Sequence, residues 1–348
     1  MLINFLLSLL FTLSHAIPLH TPNRTAPTLT STSVASFSKG TWLENLVIRQ
    51  SDGNALVTIL SAPEIYLIST SNEFAPIKVA TFPNALGCLG IVELRHDIFY
   101  VVVGNWSAST GLSTPGSYSI WEIDMKERSP KTSKVADLPE SGFLNGMTIL
   151  NPALGVLLIS DSYYEAVWSV NVYTGDVAVA VNDTTMATVP GASPALGING
   201  VHLIGGDLYY SNTNKATFNK IPIDIHTGKA TGPAEILLQS TTREIFPDDF
   251  AIDLYGNVWM ASDLYGELDL LIGAASGAGT VTLDIVAGSR NDKSNTGWTS
   301  AQFGTRKEDV ERGSLYVTTN GGPLNYIYQN WTAGGMLIRL DTVELGLY

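Results

Sequence analysis

One pattern returns about every fifty residues along this chain, and it limits the fold more than any other feature. A polar residue opens a short apolar strand, a tight turn follows, and a second strand closes on Ser-Asp or Ser-Asn. The copies read Asn145-GMTILNPALGVLLI-Ser160-Asp161, Asn199-GVHLIGGDLYY-Ser211-Asn212 and Asp248-DFAIDLYGNVWMA-Ser262-Asp263. The openers lie 54 and 49 residues apart, and the closing residues lie 51 apart each time. A period of this size marks stacked supersecondary units, none of which buries its apolar face alone.

From Thr41 to Tyr348 there are 308 residues, enough for six units. The openers fall at Glu44, near Leu89, at Asn145, Asn199 and Asp248, and near Ser300; the second unit ends at Gly104-Asn105 and the sixth at Thr319-Asn320. Between them, Val/Ile/Tyr/Trp runs such as VWSVNV are punctuated by DGN, YTGD, HTGK and LYGN, where Gly or Asn supplies the positive φ of a hairpin turn. No long helical pattern interrupts these strands. Four-stranded units at this spacing stack radially and leave only short, protected edges. The expected fold is all-β: a single six-bladed propeller over residues 41–348 around a central channel. MLIRLDTV near the C-terminus is expected to close the ring by pairing with an N-terminal strand. Residues 17–40, rich in Thr, Ser and Pro, are read as a tail or that closing strand.

Residues 1–16 form an apolar run ending in Ser14-His15-Ala16, the pattern of a signal peptide. Four Asn-x-Ser/Thr sequons at Asn23, Asn105, Asn182 and Asn330 agree with a secreted glycoprotein, and no other segment approaches the length of a membrane span. The single cysteine, Cys88, lies in the apolar stretch ALGCLGIV and reads as a buried small hydrophobe. The net charge of −13, without a Lys/Arg cluster, argues against nucleic acid as a partner. Oligomeric state is left open.

Strand parity places function on one face. An inner strand leaves the opener's face, turns, and its partner returns there. Glu44, Asn145, Asn199 and Asp248 therefore share a mouth with Asp161, Asn212, Asp263 and Asn320. All four openers offer oxygen donors and two are carboxylates, a set that suits pocket lining or a hard divalent cation such as Ca²⁺. Trp42, Trp106, Tyr163, Tyr164, Phe246 and Tyr265 give the expected mouth an aromatic wall, and apolar walls with a few polar groups describe a small-molecule site. His202, three residues beyond Asn199, faces either the channel or the core. No G-x-S-x-G, H-E-x-x-H, Walker or Rossmann motif is present.

PDDFAIDLYGNVWMA, INGVHLIGGDLYYSN and TSAQFG…GSLYVTTNGG resemble blades of the SMP-30/gluconolactonase-like propellers. That resemblance implies a divalent metal, Ca²⁺ or Zn²⁺, on Glu44, Asn199 and Asp248, with Asn145 lining the site. Two positions depart from the family pattern: LENLVI replaces an E-G-P-x-W type blade, and Asp249 stands where the family has Gly. The leader, the sequons and the run ENLVIRQSDGNALVT…PEIYLI also resemble fungal members of the superfamily, whose characterised group comprises hetero-Diels–Alderases. These join a tropolone-derived o-quinone methide to a sesquiterpene such as a humulene, in secondary-metabolite biosynthesis of meroterpenoids. The implied function is a cofactor-free pericyclase for two apolar partners. Asp248, Glu44, Tyr163 and Tyr164 are then the candidate acids, and Asn145, Asn199, Trp42, Trp106, Phe246, Asn212, Asp263 and Asn320 hold substrate. A metal-dependent lactonase or a non-catalytic binding propeller are the alternatives.

Overall fold

The computed structural model describes residues 28–241, 243–277, 281–289, 297–322 and 333–347. The leader at 1–16 and the sequons at Asn23 and Asn330 lie outside them. Six four-stranded antiparallel sheets are arranged as a six-bladed β-propeller. The inner strands, in chain order, are Leu43–Ile48, Gly87–Arg95, Leu144–Asn151, Ile198–Ile204, Pro247–Ile252 and Trp298–Phe303. Five blades run consecutively from inner to outer strand. The sixth borrows its outermost strand from the N-terminal side, where Thr32–Ser36 pairs antiparallel with Met336–Asp341.

Strand composition follows from burial on both faces. In Ile98–Gly104, Phe99, Val101 and Val103 pack toward the first blade while Ile98, Tyr100 and Val102 pack toward the third. The strand therefore reads as a continuous apolar run rather than an alternating one. Six apolar clusters fill the six junctions between neighbouring blades. Each fully buried Leu, Val or Phe stabilises the ring by roughly 1.5–3 kcal/mol of transfer free energy. Cys88 is among them, fully buried at the junction of the first two blades. Turns on the face away from the openers use Gly53, Gly175, Gly228 and Gly256, all at positive φ.

Among the described residues the only α-helix is Lys307–Arg312, and none is long and apolar enough to cross a membrane. Of the described sequons, Asn182 is exposed at the end of an outer strand and Asn105 is half-buried beside a small top hairpin.

Candidate active site

Every inner strand breaks register at its opener. The breaks lie between Leu43 and Leu46, Cys88 and Ile91, Leu144 and Met147, Ile198 and Val201, and Pro247 and Phe250. The last falls between Trp298 and Ser300, so the sixth opener is Thr299. Such a bulge adds backbone on one strand and re-aims a side chain. Here it turns Glu44, Asn145, Asn199 and Asp248 into one cavity, which Asp263 also lines.

Hydroxyl groups fix these bulges across blade junctions. Ser160 donates to the carbonyl of Asn199, Ser211 to that of Asp248 at 2.6 Å, and Thr318 to that of Glu44 at 2.9 Å. Glycines after three openers permit the approach. A Cβ on Gly90, Gly146 or Gly200 would lie within 3.0 Å of atoms of the next blade.

Above the openers the walls are apolar. Trp42, Phe143 and Phe246 each stand two residues before an opener, in the first, third and fifth blades. Gly87, Gly197 and Gly297 hold that place in the other three, where a Cβ would strike Leu60 O, Met186 O or the Asn320 side chain. Three aromatic walls thus alternate with three close backbone contacts. Trp106 packs edge-on against Trp42 at 5.0 Å between centroids, and Tyr163 against Phe143 at 5.4 Å. Leu60, Gly111, Pro194 and Leu196 complete the lining. The cavity itself is small, about 40 Å³, room for two or three waters, and it opens outward at the mouth.

The floor is acidic and buried. Glu44 is 4% exposed, Asp248 5% and Asp263 4%. Burial pushes the Glu44 carboxyl up to about 8; the indole N–H of Trp42, 2.5 Å from Oε2, works against this, and the charge of Asp249 adds to it. Burial raises Asp248 well above the usual carboxylate range, with Glu44, Asp263 and Asp249 adding and a hydrogen bond from Asn199 opposing. Asp263 is raised by burial and by Glu44, against a hydrogen bond from Asn320. The direction is the same for all three: toward carboxylic acids that donate hydrogen bonds. Beside them, the carboxamide oxygens of Asn145 and Asn199 are buried and have no hydrogen-bond partner among the described residues. An unmet acceptor of this kind costs about 1–3 kcal/mol, so both are poised for a ligand's donor.

The oxygen donors suit a hard cation in kind. Among the described residues no three His, Cys, Asp or Glu side chains form a metal-holding group, so a cation here would rest on the mixed Glu/Asn/Asp set of the openers.

The remaining expected residues lie elsewhere. Tyr164 is 44% exposed and packs on Trp168, outside the cavity. Tyr265 donates to Glu244 in a neighbouring cleft of about 340 Å³ that shares only Phe246 with the funnel. Asn212 binds the carbonyls of Thr185 and Ala187 at 2.8 and 2.9 Å, at the root of the loop that carries Pro194 and Leu196 into the wall. Asn320 stands behind Asp263. Asp161 caps its own blade, accepting from the backbone N–H of Gly142, Phe143, Tyr163 and Tyr164 and from the Trp168 indole. His202 contacts Asp249 and stacks edge-on against Phe250, below the lining. Phe143, Leu60, Pro194 and Leu196 are lining residues that the sequence reading missed; an aromatic two before the opener was a usable signal for Phe143.

No family model matches the chain. It is 26% identical over 327 residues to a Phoma protein named "Putative hetero-Diels-Alderase", covering 86% of this chain and 89% of the relative. A Sarocladium schorii protein of the same name, asR5, is 26% identical over 321 residues, covering 83% and 78%. Among solved structures, a luciferin-regenerating enzyme superposes with a TM-score of 0.65 at 15% identity, covering 90% of this chain and 95% of that one. Regucalcin, a calcium-binding protein from Agrobacterium tumefaciens, superposes at 0.63 and 16% identity, covering 91% and 95%. A third, described as a "putative gluconolactonase", superposes at 0.54 and 12% identity, covering 90% and 92%. The structural likeness establishes the six-bladed fold, and the sequence likeness is to proteins that carry the hetero-Diels-Alderase name.

Proposed function

We propose that this chain is a pericyclase that catalyses an intermolecular hetero-Diels–Alder reaction between a tropolone-derived o-quinone methide and a humulene-type alkene. One observation carries the reading beside the two relatives. Three buried carboxyls, driven toward their acid forms, lie at the base of an aromatic funnel. A floor of neutral acids donates to a substrate oxygen without placing charge beneath two apolar partners.

Two steps fit this geometry. In the first, Asp248 or Glu44 protonates the hydroxymethyl oxygen of the tropolone. The C–O bond breaks, water leaves, and the ring hydroxyl returns its proton to the carboxylate, giving the quinone methide. General acid catalysis of this sort contributes about 10²–10⁴-fold. In the second, the acid donates to the carbonyl oxygen of the heterodiene while Trp42, Phe143 and Phe246 hold the alkene over it. One C–C and one C–O bond form at the expense of π bonds, and no proton is transferred. Orientation alone is worth several kcal/mol. The oxygens of Asn145 and Asn199 are free to accept from the tropolone hydroxyl.

The carboxyl-rich floor with its unmet amide oxygens favours a second reading, a metal-dependent lactonase. The separating experiment supplies purified protein with a quinone-methide precursor plus humulene, and separately with a simple lactone, with and without chelator. Accelerated, stereoselective cycloadduct that survives chelation supports the pericyclase. Chelator-sensitive lactone opening without cycloadduct overturns it.

A further inference from the structure

The residue that follows each opener divides the ring in two. In the second, third and fourth blades it is Gly90, Gly146 and Gly200; in the fifth, sixth and first it is Asp249, Ser300 and Asn45. These three polar side chains are buried and joined. Ser300 Oγ lies 2.9 Å from Asp249 Oδ2 and 3.4 Å from Asn45 Oδ1. Asp249 Oδ1 accepts from the backbone N–H of Phe250 at 2.9 Å and meets His202 Nε2 at 2.9 Å. One side chain therefore ties the fourth, fifth and sixth blades, and through Ser300 reaches the first.

Gly200, in the fourth blade, makes room for this layer. A Cβ on Gly200 would lie 2.5 Å from Asp249 Oδ1. None of the four linked residues lines the funnel. His202 lies three residues beyond Asn199, about 10 Å along the strand toward the opposite face, and its side chain is 35% exposed against 7% for Asp249. The layer thus runs from behind the acid floor toward the opposite face.

We propose that Asp249 is a positioning residue, the centre of a clasp formed by Asn45, Ser300, Asp249 and His202. The clasp holds the bulges that aim Glu44 and Asp248. The proposed function supplies the reason for such a layer, although the clasp can be tested without it.

The test compares wild type with D249G, which carries the glycine of the second, third and fourth bulges, and with D249N. Asparagine keeps the contacts when its oxygen takes the Oδ1 place, accepting from the Phe250 N–H and facing His202 Nε2, and its amide nitrogen donates to Ser300 Oγ. The first readout needs no ligand: hydrogen exchange of the Trp42 indole N–H, bonded to Glu44, against that of the Trp168 indole N–H, bonded to Asp161 in the third blade. D249G is expected to speed exchange at Trp42 at least tenfold, leave Trp168 within twofold, and be restored to within threefold of wild type by asparagine. Equal acceleration at both indoles reports general loosening and overturns the clasp, as does unchanged exchange at Trp42. The second readout is turnover: D249G is expected to lower kcat at least tenfold while the KM for humulene, set by the walls, stays within twofold. Wild-type protein without cycloadduct activity sinks the pericyclase reading while the exchange result still decides the clasp.

Discussion

Asp161 and Asp263 occupy one place in two blades, the Asp of a Ser-Asp pair that ends the second strand, and they have opposite surroundings. Asp161 is ringed by four backbone N–H groups and an indole. Asp263 faces the funnel, with Asn320 as its side-chain donor and Glu44 and Asp248 as neighbours. Donors aimed at a carboxylate make it a structural cap; without enough of them, burial drives the same group toward its neutral acid. The repeat therefore specifies position, and the loop that follows specifies role. In the third blade DSYY turns back over its own aspartate. In the fifth it does not.

Four measurements sharpen or break this contrast. The largest effect is expected at the floor: D248N should lower turnover about 10²–10⁴-fold, with an unchanged urea midpoint, because an amide cannot supply the proton. Unchanged turnover would remove Asp248 from the chemistry. Next, D161A should cost at least about 3 kcal/mol in urea unfolding, since it strands several buried donors at once. D263N should cost less than about 1 kcal/mol at pH 6 and be more stable than wild type at pH 9, because the amide does not ionise. Equal losses in the two variants would end the distinction.

A third, smaller effect concerns pH. Between 4.5 and about 8 native Glu44 keeps a proton that the unfolded chain has lost, so stability should fall as pH rises through that window. Turnover should fall as pH rises past about 8, and E44Q should flatten the stability change. A stability curve that rises from pH 5 to 8 in wild type relative to E44Q would show Glu44 ionised instead. The smallest effect separates the paired tyrosines: Y163A should lower turnover about tenfold and Y164A less than twofold, from steady-state rates, since only Tyr163 lines the funnel.

The fold was legible because a 51-residue spacing survives sequence drift within each blade. Four openers were legible for the same reason, and the bulges place all four where parity had put them. Their neighbours were less so. Asn212 repeats the pattern faithfully, yet its carboxamide supports the loop beneath Leu196 rather than facing the cavity. Leu196 and Pro194 reach the wall from that irregular loop, held by Asn214, and no local periodicity marks them. Tyr164 looked like a mouth residue from its place between strands, but Trp168 covers one face of its ring. The alternation of aromatic and glycine two before each opener was present throughout. It becomes meaningful only once blades one, three and five are known to stand apart around an axis.

Ring closure has a consequence for the chain as it is made. Thr318, which holds the backbone of Glu44, lies 274 residues downstream of it. At about 5–20 residues per second of synthesis, that is roughly 15–55 s during which Glu44 has no last blade to pack against. Until then the carboxyls of the future floor stand in water as ordinary anions. The raised pKa of the floor carboxyls thus waits on the last blade meeting the first.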